Sequence, residues 1–206
     1  MKDCPFCCYV ENNKHFFGVH KEISERVLWE TKHFYVAPSV GAFVKGYFLI
    51  ITKKHYFNMG SSNNLHELND LVHALKKHIL TLYKSKSIVF EHGSVQDSSS
   101  GGASINHAHM HVVPTNDDLE LEIKKTGILV PVKNIYNLLD YSNNPYIYYQ
   151  NTQSYSYIID ILNPPSQYLR QILAKSLNVD DCWNWRIYPY KENIEQTIKD
   201  FENIRI

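Results

Sequence analysis

Apolar residues fall in short runs through the first part of the chain and then at helical spacing. "RVLWE" (26–30) and "HFYVAP" (33–38) are rich in β-branched and aromatic residues and are separated by the polar pair "TK", a pattern that predicts a β-hairpin. "GYFLIIT" (46–52) reads as a buried strand. Leu65, Leu68, Val72, Leu75, Ile79 and Leu82 then recur at steps of three and four, the stripe of one amphipathic helix, and Ser61, Ser62 and Asn63 offer its N-cap. "SIVFEHG" (87–93) predicts another strand, "VQDSSSGG" (95–102) a flexible loop, and "SINHAHMHVVP" (104–114) a strand ended by Pro114. Hairpin-linked strands with one long crossover helix imply an antiparallel α+β sheet.

Beyond residue 115 the pattern changes. "NDDLELEIKK" (116–125) is a charged run of the kind that usually forms a solvated helix or loop. "YIYYQNTQSYSYIID" (146–160) predicts a Tyr-rich hairpin turning near Asn151 to Ser154. "PPSQYLRQILAKSL" (164–177) has Pro before a Ser cap and the apolar set Leu169, Ile172, Leu173 and Leu177, hence a helix, and Ile194, Ile198 and Phe201 mark a last one. The expected organisation is a core over residues 1–114 and an α/β extension over 115–206 packed on it.

Composition narrows the function classes. The chain has 206 residues, with Lys plus Arg and Asp plus Glu both at 21, so no global basic field argues for a nucleic-acid partner, and any bound anion must be captured locally. The start lacks a basic region followed by a long apolar run, and "GYFLIIT" is too short to span a bilayer, which predicts a soluble, cytoplasmic protein without a membrane partner. Cys4, Cys7, Cys8 and Cys182 include three crowded at one end, a poor disulfide framework; reduced thiols or a metal site fit better.

The candidate chemistry sits in "GGASINHAHMHVVP" (101–114). In a strand His107, His109 and His111 share one face while Ala108, Met110 and Val112 take the other. A row of imidazoles repels itself when protonated and is a costly way to make a polar face, so it points to a site. Two chemistries suit it: a metal site using two or three of the rings, or nucleophilic catalysis by one ring with its neighbours controlling the proton. Just before it, Gly101, Gly102 and Ser104 supply backbone amides that a ligand can approach closely and a hydroxyl donor, a set that suits phosphate oxygens.

Taken together, the Gly-x-Ser loop and the His-x-His-x-His row ending in Val112 and Val113 resemble the signature of the histidine triad (HIT) superfamily of nucleotide hydrolases and transferases. "CPFC" (4–7) and "FLIITKKHY" (48–56) resemble further segments of that family, so the resemblance covers residues 4–114. It implies a HIT-like antiparallel sheet and attack by the middle histidine, His109, on the α-phosphate of a nucleotide such as a dinucleoside polyphosphate or nucleoside phosphoramidate. The covalent nucleotidyl-histidine is then cleaved by water or another acceptor. By the same carry-over Ser104 and the backbone after Gly102 hold the phosphate oxygens, His111 bonds the phosphate or the leaving group, and His107 orients its neighbours or binds metal. Ala103 stands where many members have Gln, Ser39 where the family often places Asn or Asp for the ribose, and Lys45 where Pro is usual.

The same resemblance implies a structural zinc. Cys4 and Cys7 can chelate from one turn, whereas a redox CxxC wants a preceding strand. Some HIT branches complete such a site with the histidine of the Lys-x-His segment and the first triad histidine, here His55 and His107, with Cys8 a neighbouring substitute. His92 is a candidate substrate contact or a surface histidine. His66, His73 and His78 lie off the helix's apolar stripe and are expected in solvent. Arg170 and Arg186 sit among aromatics, and stacking on Trp183 and Trp185 is preferred over a phosphate clamp. The runner-up function is a zinc-stabilised nucleotide-binding or interaction module without turnover. A hydrolase holding metal on all three histidines comes third, because it leaves no nucleophile. The resemblance allows a homodimer, unless the extension occupies that surface.

Overall fold

The computed structural model describes residues 4–7, 27–96 and 102–205. Eight strands form a single sheet in the order β1-β2-β3-β5-β4-β7-β8-β6. They are β1 (Trp29–Glu30), β2 (Phe34–Pro38), β3 (Phe48–Thr52), β4 (Ser87–Gly93), β5 (His109–Pro114), β6 (Ile128–Val132), β7 (Tyr146–Gln150) and β8 (Ser156–Asp160). Every neighbouring pair is antiparallel. The fold class is therefore α+β, as the hairpin spacing predicted.

Five helices complete the described chain: α1 (Leu65–Tyr83), α2 (Glu120–Ile123), α3 (Leu138–Tyr141), α4 (Tyr168–Ser176) and α5 (Lys191–Phe201). The crossover helix α1 buries Leu65, Leu68, Leu71, Val72, Leu75 and Ile79, whereas Leu82, counted in the expected stripe, is 42% exposed in the last turn. Its N-cap is Asn64, and Gly60–Ser62 form a 3-10 turn before it, because the Ser62 hydroxyl donates back to the Met59 carbonyl rather than capping the helix. Buried side chains of α1 meet Phe34, Val36, Phe48, Ile50, Met110 and Val112 on one face of the sheet. The opposite face packs Tyr35, Ala37, Leu49, Ile51, Phe90 and Val113 against Tyr168, Leu169, Leu173 and Ala174 of α4. Each strand of this centre is buried on both sides, which is why "FLIIT" reads as continuously apolar rather than alternating.

The chain beyond Pro114 joins the sheet by its edge and also lies on its face. β7 pairs with β4, setting Phe90 opposite Tyr149 and His92 opposite Ile147, and β8 and β6 extend the sheet outward. The hairpin turn falls between Gln150 and Ser156, where the Tyr-rich pattern placed it. The charged run 116–125 departs from the expected solvated segment: Leu119 and Ile123 are buried, and Glu120 accepts hydrogen bonds from Tyr149 and Asn151, so it docks on the hairpin. α4 begins at Tyr168 after Gln167 in a left-handed conformation, so Ser166 is not its cap. Among the described residues no helix is long and apolar enough to cross a membrane. Most of the loop expected over 95–102, and Cys8, lie outside the described residues.

Candidate catalytic and metal-binding site

β5 begins at His109, five residues later than the strand expected over 104–114, so two of the three histidines are on the strand and His107 precedes it. Alternation holds within the strand: Met110 and Val112 enter the α1 side, and His109 and His111 the other. Register places His111 between Leu49 of β3 and Phe90 of β4, and His109 opposite Ile51. The Phe90 ring stacks on His111 at 4.3 Å between centroids with an interplanar angle of 11°, and the His109 and His111 rings are 5.0 Å apart. All three histidines are buried.

Each imidazole has a partner that fixes its tautomer. His109 Nδ1 lies 2.6 Å from the carbonyl oxygen of His107, which can only accept, so Nδ1 carries the hydrogen and Nε2 keeps a lone pair. His107 Nε2 is 2.7 Å from the Thr52 carbonyl and therefore donates to it, leaving Nδ1 as its free ligand atom. His111 Nδ1 is 2.8 Å from the Tyr47 hydroxyl. Burial is the main reason all three resist protonation. His107 is lowered to about 4 by burial, against the help of the Thr52 carbonyl, with His55 and His109 adding repulsion. His109 is lowered by burial and the Arg170 charge, opposed by the His107 carbonyl, and His111 falls well below its ordinary value by burial and the charges of His109, Arg170 and His92. Neutral rings are what a nucleophile and a metal ligand both need.

Cys4, Cys7, His55 and His107 come together with one ligand atom each, all within 4.8 Å of one another. Cys7 Sγ is 3.2 Å from His55 Nδ1 and 3.6 Å from His107 Nδ1, and Cys4 Sγ is 3.4 Å from His107 Nδ1. Tetrahedral zinc with two thiolates and two imidazoles spaces its ligand atoms by roughly 3.3–3.8 Å, so this cluster fits such an ion. Phe6, between the two cysteines, is buried with its ring 5.6 Å from His107 and 5.4 Å from His109. The Cys-x-x-Cys turn thus lies directly against His107 and the start of β5.

The loop before the triad is held by the extension. Gly102 has φ +72°, and a Cβ there would crowd the Pro165 carbonyl, so glycine suits both the turn and the close approach. Its carbonyl accepts from Gln167 N at 2.7 Å. Ser104 Oγ accepts the indole N–H of Trp185 at 3.0 Å, which leaves the serine's own hydrogen to be donated, and Arg186 donates to the Ser104 carbonyl while lying 4.8 Å over the Trp185 ring. Arg186 therefore takes the stacking role expected of it. Arg170 does not stack on tryptophan: it is buried, lies 4.5 Å over Phe43, and donates to Trp183 O, Gly41 O and the Tyr47 hydroxyl.

His92 and Ser39 also have partners. His92 is buried rather than on the surface, and its Nε2 accepts the Leu169 N–H at 3.3 Å in the first turn of α4. Burial, with His109 and Arg170 nearby, lowers it to about 3. The Ser39 hydroxyl donates to the Val40 carbonyl at 3.0 Å. His66 and His73 are exposed on α1 as expected, and His78 is half-buried. Sequence reasoning missed Tyr47. The available signal was its parity with Leu49 and Ile51 in "GYFLIIT", which puts a phenol on the histidine side of the sheet.

A long crossover helix under an antiparallel sheet, with paired histidines on the central strand behind a Gly-Ser loop, defines a class that comparison with known proteins identifies. The chain matches the family model of the HIT domain over residues 20–118. It is 28% identical over 121 residues to an uncharacterized HIT-like protein of Methanocaldococcus jannaschii, covering 57% of this chain and 86% of that one. Among solved structures, it is 17% identical to a hypothetical histidine triad nucleotide-binding protein of Sulfolobus tokodaii strain7, covering 98% of this chain and 99% of that chain with a TM-score of 0.42. A Zn-bound histidine triad family protein of Mycobacterium smegmatis is also 17% identical, over 57% of this chain and 78% of that chain, with a TM-score of 0.41.

Proposed function

We propose that this protein is a nucleotide hydrolase or nucleotidyltransferase that acts at an α-phosphate through a nucleotidyl-His109 intermediate. The observation that carries the reading is the bond from His109 Nδ1 to the His107 carbonyl, because it aims an unprotonated Nε2 away from the backbone. In the first step that lone pair forms a P–N bond as the bond from phosphorus to the leaving group breaks, and the electron pair departs on the leaving group, stabilised by a hydrogen bond from neutral His111. In the second step water or another acceptor forms the new P–O bond as the P–N bond breaks, His109 Nε2 regains its lone pair, and the acceptor's proton passes to solvent. Gly102 and Ser104 hold the phosphate oxygens, which must be neutralised by hydrogen bonds as charge develops. Ser39 and His92 border the nucleotide on this reading.

Cys4, Cys7, His55 and His107 hold a structural zinc, whose chemistry is to tie the amino-terminal turn to the catalytic strand; it takes no part in the reaction. About one zinc per chain is expected, and Cys4→Ser should lower metal content and melting temperature together. Folded, active protein isolated without chelator yet free of zinc would overturn this assignment. Ligation by thiolates suits a reducing compartment, in keeping with a cytoplasmic protein.

The runner-up, a nucleotide-binding module without turnover, is favoured by one observation: the triad is buried and the extension engages Ser104 and His92. A screen of dinucleoside polyphosphates, nucleoside phosphoramidates and nucleotide sugars, with products analysed with and without added phosphate, separates the two. Turnover supports the enzyme and its products distinguish hydrolysis from transfer; saturable binding with no product supports the module.

A further inference from the structure

A chain of hydrogen bonds runs from the extension to the third histidine of the triad. Arg170 of α4 is anchored by its guanidinium to the carbonyls of Gly41 (2.8 Å) and Trp183 (3.0 and 3.2 Å) and against the Phe43 ring. Its remaining Nη1 is 3.1 Å from the Tyr47 hydroxyl, which in turn is 2.8 Å from His111 Nδ1. Arg170 and Tyr47 are both buried.

The polarity of this chain follows from giving the buried phenol hydrogen an acceptor. A guanidinium has five donors and no acceptor, so the Tyr47 oxygen must accept from Arg170. The phenol has one hydrogen, and the second partner on its oxygen is His111 Nδ1. A hydrogen on Nδ1 would leave the buried phenol hydrogen with no acceptor among the described residues, so the phenol donates to a bare Nδ1 and neutral His111 carries its hydrogen on Nε2. His109 is held in the opposite tautomer, with hydrogen on Nδ1 and a lone pair on Nε2. We propose that Arg170 and Tyr47 are positioning residues through which the carboxy-terminal extension locks His111 as an Nε2–H donor beside the nucleophilic His109.

The catalytic consequence rests on the reaction proposed above; the tautomer assignment does not. A free imidazole populates both neutral tautomers, and a His111 with hydrogen on Nδ1 would offer a second lone pair where a hydrogen-bond donor is needed. The extension therefore acts on the chemistry through a residue that sequence reading assigned to packing. Tyr47 and Arg170 touch neither substrate nor the reacting atoms in this account.

Long-range ¹H–¹⁵N correlation spectra of histidine-labelled protein read the tautomers directly, before any substrate is known. In the native protein His111 should appear as a single Nε2–H tautomer and His109 as a single Nδ1–H tautomer. Tyr47→Phe, which keeps the ring and removes the donor, should redistribute His111 between tautomers and leave His109 unchanged. With a substrate, kcat should fall by about 10²-fold, in the range of a lost transition-state hydrogen bond, with KM within about twofold. Arg170→Lys, which cannot make the same fork of bonds, should shift His111 in the same direction by less. An Nδ1–H tautomer at His111 in the native protein overturns the proposal even if no variant folds, as does a Tyr47→Phe protein with His111 tautomer and kcat both unchanged. Assigned tautomers without turnover of any nucleotide would instead defeat the enzymatic reading and leave the positioning assignment standing.

Discussion

β5 faces two different environments within six residues. On the α1 side, Met110 and Val112 are wholly buried among Phe34, Phe48, Ile50 and the leucines of the helix. On the other side, His109 and His111 are almost as deeply buried, yet their Nδ1 atoms have stated partners, the His107 carbonyl and the Tyr47 hydroxyl. One face gains stability from excluded water without needing directed bonds. The other uses directed bonds to set where lone pairs and hydrogens point, and its own hydrophobic ring of Leu49, Phe90 and Phe6 keeps those imidazoles neutral. Alternation along a single strand separates the work of folding from the work of chemistry.

The largest expected effect breaks that division from the histidine side. His109→Ala should abolish turnover while the protein stays folded and retains nucleotide affinity, because the Gly102–Ser104 loop is held by Gln167 and Trp185 rather than by His109. Kinetics alongside calorimetric titration check this. The converse variant, Met110→Ala on the α1 side, should cost about 2–5 kcal/mol in denaturant unfolding, with kcat of the folded fraction within a few-fold of the parent. A Met110→Ala protein that lost its catalysis at unchanged stability would show that the two faces are not separable.

A subtler test uses pH, because each face buries a titratable group with the opposite sign. Glu91, on the α1 face, accepts hydrogen bonds from Met59 N and the Tyr146 hydroxyl, and burial pushes it up to about 8, against the pull of those two bonds. The folded state holds this proton more tightly than the unfolded chain, so its contribution is fully present below about pH 4.5 and is lost as pH rises through 8. His92, on the histidine face, is lowered to about 3, so its contribution is present above pH 6.5 and lost as pH falls toward 3. Glu91→Gln, which mimics the neutral acid, should flatten the alkaline decline in melting temperature and leave the acid decline in place. The smallest effect is at Arg186, exposed over Trp185: Arg186→Lys should lower stability by no more than about 1 kcal/mol.

The comparison also explains what was legible in the sequence. The α1 face declared itself through helical periodicity and the apolar run of β3, since non-directional burial leaves a compositional trace. The triad was legible as a motif, and the Cys–His cluster as two pieces 48 residues apart that the sheet brings to 3.2 Å. What stayed hidden depends on partners distant in sequence. The bond from Arg170 to Tyr47 spans 123 residues, and nothing in "QYLRQ" distinguishes an arginine that anchors a phenol from one that stacks on an indole. β6 was not anticipated because Pro131 and the exposed Ile128 and Val130 suit an edge strand, paired among the described residues with β8 alone, and an edge leaves a weak pattern. The histidine row looked like one continuous strand, yet His107 leaves the ladder to reach Thr52 and the cysteines.

The most direct test of the central claim is to look for the covalent intermediate. During turnover of a substrate found by the nucleotide screen, rapid quenching at neutral pH followed by peptide mass analysis should reveal a nucleotidyl mass on the peptide containing residues 105–114, located at His109. His111→Ala should slow turnover by roughly 10²–10³-fold, as for the loss of one transition-state hydrogen bond, without moving the adduct. Full activity in His109→Ala, or steady turnover with the adduct on another residue, would contradict the account.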